Sequence, residues 1–120
     1  MNKDRYRKEL EKFKNKKFVI RARVDKRRTK DYTSRYGNTY KVETMLLKDV
    51  KCGVIRNKKF YVIERVHHVW LSAETSKLVT NFQIKPGHEV MFGATVTQYT
   101  YKDGEVQLGV VQTSKKHNFK

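Results

Sequence analysis

From Phe18 onward the apolar residues recur with a period of two, in short runs cut by turn-forming residues. That rhythm sends alternate side chains to opposite faces, so it predicts strands and a sheet core and leaves no room for a helical bundle. Phe18, Ile20, Ala22 and Val24 face one way, with Val19, Arg21, Arg23 and Asp25 opposite. A second strand runs over roughly 39–50, where Tyr40, Val42, Thr44 and Leu46 alternate with Lys41, Glu43, Met45 and Leu47. Phe60 to Leu71 is β-branched and aromatic enough for a third. The fourth covers 89–101 with Val90, Phe92, Ala94 and Val96 inward, and the fifth covers 106–113 with Val106, Leu108 and Val110 on one face.

The punctuation fits these five. Gly37-Asn38, Gly53 with Arg56-Asn57-Lys58-Lys59, and Asp103-Gly104 are turn signals. Lys85-Pro86-Gly87-His88 reads as a type II turn, with Pro fixing the first central φ and Gly supplying the positive one. Residues 25–38 form either a long loop or a hairpin whose tip runs beyond the sheet. Residues 72–83 form a connector with a short helical turn.

Ahead of the strands, Tyr6, Leu10 and Phe13 recur at helical spacing, which predicts an N-terminal helix over 3–16. The segments expected are a basic helix over 1–17, a β domain over 18–113, and a basic, mobile tail over 114–120. At 120 residues one domain with one core fits, and 38% hydrophobic content gathered into alternating runs suffices to fold it. The single cysteine, Cys52, offers no intramolecular disulfide, and the charged start Met1-Asn2-Lys3-Asp4-Arg5 is unlike a secretory signal, so the expected location is cytoplasmic.

The run Ile84 to Val96 (IKPGHEVMFGATV) resembles the turn and fourth strand of OB-fold proteins, which often read Lys-Pro-Gly-Asp-x-Val; here His88 stands where Asp is usual. Leu46 to Val50 and His68 to Leu71 are similar to segments of small OB-like, single-stranded-DNA-binding-like proteins of prokaryotes and mobile elements. The resemblance covers about half the chain. It implies a mainly β, five-stranded Greek-key barrel with an N-terminal α-helix and a short helical connector between strands 3 and 4. Its ligand face would lie on strands 2 and 3, flanked by the loops between strands 1 and 2 and between strands 4 and 5.

Charge favours that face. Residues 1–60 carry 21 Lys and Arg against 7 Asp and Glu, whereas residues 61–120 carry 7 against 5. A field concentrated on part of a small domain attracts polyanions. The candidate nucleic-acid-binding residues are Lys26, Arg27, Arg28, Lys30, Tyr32, Arg35 and Tyr36 in the first loop, and Tyr99, Tyr101 and Lys102 in the other. Arg21 and Arg23 on strand 1, Tyr40 and Lys41 on strand 2, and Tyr61 and Arg65 on strand 3 complete the set. Rings stack unpaired bases and cations hold the backbone without reading sequence. Trp70 reads as a core or lid residue.

No metal and no cofactor are expected. His67 and His68, adjacent on a strand, point to opposite faces, and Cys52, His88 and His117 show no ligand spacing. The chain has no Gly-rich phosphate loop and no paired carboxylates, so it reads as a non-enzyme. The expected function is single-stranded DNA binding with little sequence preference, in replication, repair or transfer of a genome or mobile element. An RNA-binding module, or a basic interaction or inhibitor protein with an acidic partner, are the alternatives. Familiar bacterial single-strand binders end in an acidic tail, but this chain ends in Lys115-Lys116-His117-Asn118-Phe119-Lys120, which suits a specialised protein.

Overall fold

The computed structural model of the protein describes residues 8–100, 104 and 106–120. Five antiparallel strands dominate: β1 (Phe18–Thr33), β2 (Thr39–Arg56), β3 (Lys59–Ser72), β4 (Glu89–Thr100) and β5 (Val106–Phe119). They hydrogen-bond in the order β3-β2-β1-β4-β5, and the two end strands, β3 and β5, touch each other. Ile20, Met45, Leu47, Leu71, Val90 and Val110 are fully enclosed on the inner face, so the period-two reading of the core holds.

Residues 25–38 take the second of their two options. The β1–β2 ladder continues to Thr33 opposite Thr39, whereas β4 accompanies β1 only from Phe18 to Arg23 and β3 reaches no farther along β2 than Thr44. The outer part of the hairpin is therefore a two-stranded ribbon projecting past the sheet. Ser34 closes its tip by accepting the Gly37 amide on its carbonyl at 3.0 Å, with Gly37 at φ 84°.

Four register irregularities bend the sheet, as extra residues in a ladder do, one of them on β5 between the partners of Phe92 and Ala94. Asp25 is inserted on β1, Asp49 on β2 with φ 51°, and Ile63 on β3 opposite Gly53. At Gly53 the strands approach so closely that a Cβ would sit 1.8 Å from the Tyr61 carbonyl oxygen. The next turn, Arg56 to Lys59, has both central residues, Asn57 and Lys58, at positive φ, which matches the right-handed twist of the strands it joins. At Lys85 to His88 the His88 amide donates to the Lys85 carbonyl at 3.1 Å and Gly87 has φ 93°, in keeping with the type II reading. His88 Nδ1 accepts the Lys85 amide at 2.9 Å, a task an Asp carboxylate can also perform.

Two expectations need correction. In place of an α-helix over 3–16 there is a 3-10 helix, η1 (Lys8–Phe13); residues 3–7 of the expected helix, including Tyr6, lie outside the described residues. The tighter winding eclipses positions three apart, which puts Leu10 and Phe13 together into the core, and Phe13 stacks on Phe18 at 4.4 Å. The tail is not free either. β5 runs to Phe119, with His117 opposite Phe92 and Phe119 opposite Val90, and Lys120 exchanges two backbone hydrogen bonds with Glu89. The connector carries a second 3-10 helix, η2 (Lys77–Thr80), whose Leu78 and Val79 are buried. No helix among the described residues is long and apolar enough to cross a membrane.

Candidate nucleic-acid interface

The bulge at Asp25 decides which cations face outward. Up to Val24 the even-numbered residues of β1 point inward; beyond the inserted residue, Lys26, Arg28, Lys30 and Tyr32 share the outer face with Leu46, Thr44, Val42 and Tyr40, their partners on β2. Leu46 in turn lies beside Trp70 of β3. Lys30 Nζ stands 4.9 Å and Lys26 Nζ 6.0 Å from the centroid of the Trp70 ring, so that ring is a half-buried outward surface and not core. Tyr32 and Tyr40 stack across the ribbon, and Tyr36 at its tip is 82% exposed beside exposed Arg35. Lys41 sits opposite Asp31 on the reverse face.

Arg27 takes the other side of the strand. Its guanidinium donates to the Asn81 and Ile84 carbonyls at 3.1 Å each and to the Val79 carbonyl, and it lies 5.2 Å from the Phe82 ring centre. These bonds satisfy carbonyls around η2, so its charge serves the fold.

Where the ribbon joins the sheet, a cleft of about 450 Å³ opens on the same outer face. Arg21 and Arg23 of β1, Lys51 of β2, and Arg65 and His67 of β3 line it, with Asp49 and Glu89 among them. Arg21 binds the Glu89 carboxylate at 2.8 Å, and that hydrogen bond holds Glu89 below its ordinary range. Arg23 reaches the Gly87 carbonyl at 3.4 Å, and Lys48 lies 3.4 Å from Asp25. The cleft keeps a cationic surplus.

His67 and His68 do not point to opposite faces, as strict alternation requires; their Nδ1 atoms are 2.9 Å apart with the rings edge to face. Val66 and Val69 are both buried, three residues apart, so the strand turns both intervening rings to one side. Among the described residues no group of three or more His, Cys, Asp or Glu could hold a metal ion. Cys52 is buried, and loss of hydration together with the Glu64 and Glu9 charges pushes its thiol up to about 12.

The sequence-derived set therefore splits. Arg21, Arg23, Lys26, Arg28, Lys30, Tyr32, Tyr40 and Arg65 share the outer face, with Arg35 and Tyr36 at the ribbon tip. Tyr61 pairs with Val54, fourteen positions along β2 from Tyr40, so roughly 45 Å of strand lies between them. Tyr99 lies opposite Gln107 in the β4–β5 ladder, while Tyr101 and Lys102 lie outside the described residues. Sequence reasoning missed Trp70, Lys48, Lys51 and His67. Trp70 had a signal: Val69 and Leu71 are apolar neighbours that face inward, which obliges the residue between them to face out.

No protein-family model matches the chain, and no curated protein matches it.

Proposed function

We propose that the chain is an OB-type barrel that binds single-stranded DNA with little sequence preference. The strand order, with β3 and β5 brought together, supports a closed barrel of that type. The observation carrying the binding reading is one outer track in which Tyr40, Tyr32, Lys30, Trp70 and Lys26 lead into the Arg23, Lys51 and Arg65 cleft. Rings stack bases whatever their identity, and ammonium and guanidinium groups neutralise the backbone. From Arg21 to Tyr32 the track spans roughly 35 Å, enough for on the order of five or six nucleotides. Such a protein suits replication, repair or transfer of a genome or mobile element in the cytoplasm.

The test is a fluorescence-anisotropy titration with matched single-stranded DNA, single-stranded RNA and duplex DNA at two salt concentrations. Preference for single-stranded DNA that persists at the higher salt is the expected result. Equal binding to all three that vanishes with salt leaves only a charged surface, and preference for RNA moves the substrate to ribose.

A further inference from the structure

At the end of β2 remote from the tyrosine ribbon, the β2–β3 hairpin carries a different surface. Ile55, Tyr61, Val62 and Ile63 are each 41 to 51% exposed. Three of them are consecutive: β1 accompanies β2 no farther than Gly53, so the hairpin beyond it is two-stranded, and the bulge at Ile63 adds a further outward residue. Apolar groups gathered on a small protein mark an interaction site more often than chance exposure. β3 is also an end strand of the hydrogen-bonded order: β5 and η1 touch it, but no described strand hydrogen-bonds to its outer edge. The turn beside it carries exposed Arg56, Lys58 and Lys59.

We propose that this edge docks an extended segment of a partner protein in which apolar residues alternate with Asp or Glu, added to β3 as a further strand. Backbone hydrogen bonds would supply the pairing, the aliphatic side chains the packing, and the basic turn the charge match. Nucleic acid is disfavoured here because three of the four side chains, Ile55, Val62 and Ile63, have no π-face on which a base can stack, which leaves Tyr61 as a single ring. A second copy is disfavoured because both chains carry +16 and each brings the same basic Arg56, Lys58 and Lys59 turn to the contact. The surface is separate from the single-strand track, so either reading can fail without the other.

The test is selection of displayed random 12-residue peptides on the intact protein, with depletion on a V62S/I63S variant. Both positions are already half-exposed, so the variant is expected to melt with the parent and to bind single-stranded DNA unchanged. Recovered peptides should combine alternating apolar residues with Asp or Glu, lose at least tenfold affinity for the variant and for a separate Ile55→Ser protein, and slow amide exchange in β3. Five results overturn the proposal: no enrichment over the variant, enrichment of peptides without acidic residues, protection that maps to the tyrosine ribbon, loss of DNA binding by the variant, or parent dimers in sedimentation that the variant abolishes. The last would assign the edge to a second copy. Loss of DNA binding by the variant would assign it to nucleic acid.

Discussion

Tyr32 and Tyr40 stand directly opposite each other across β1 and β2, with ring centroids 5.8 Å apart and planes inclined by 21°. Each is more than two-fifths exposed, so the pair is a platform on the surface and contributes little to the core. Replacing both with Ala should weaken single-strand binding by about 1 to 3 kcal/mol per base stacked, with the salt slope and melting temperature nearly unchanged. Anisotropy over a salt series reads both quantities. Unchanged affinity would remove the ribbon from the site.

Arg27 and Arg28 are neighbours with opposite assignments. Arg27→Ala should cost about 2 to 3 kcal/mol in urea unfolding, because three carbonyls around η2 lose a charged donor. Arg28→Ala should leave stability alone and lower the salt slope for single strands by about 0.7, one phosphate's worth.

Trp70 is the sole tryptophan, so its emission reports on the track without a label. Single-stranded oligonucleotide should quench it saturably, at the same midpoint as the anisotropy change. Trp70→Leu should weaken binding by about 1 to 3 kcal/mol. Emission indifferent to bound oligonucleotide would place the strand elsewhere.

Glu89 links acid stability to the cleft. Its folded pKa is lowered from the ordinary 4.5, first by the hydrogen bond from Arg21, so the pair's contribution is complete above that value and fades as pH falls through the depressed one. Urea midpoints between pH 3 and 7 should show this fading in the parent and less of it in Glu89→Gln. The same variant releases Arg21 to the ligand and should tighten DNA binding at low salt.

Gly53 is required by contact. An Ala there meets the Tyr61 carbonyl oxygen, which is backbone and cannot rotate away. Gly53→Ala should destabilise by about 3 kcal/mol or more, at the upper end of overpacking costs. Guanidinium unfolding measures it.

Strand positions, inward residues and turns were legible because side-chain alternation and positive φ leave marks in residue type. Bulges leave few. The residue inserted at Asp25 exchanges the faces of everything beyond it, so Arg27 and Arg28 look equivalent in the sequence and differ in the fold. The burial of both Val66 and Val69, three positions apart, hides the meeting of His67 with His68 in the same way. The N-terminal spacing of Leu10 and Phe13 suits an α-helix or a 3-10 helix, and packing against Phe18 is non-local information. The C-terminal strand escaped because its polar residues hydrogen-bond to β4 through backbone, which composition does not register.

The ladder between Lys120 and Glu89 has a practical side. Glu89 lines the cationic cleft, so anything joined to Lys120, whether an affinity handle or a fluorescent protein, starts at the rim of that cleft. A bulky fusion there would shade the cleft from its ligand and give a falsely weak affinity.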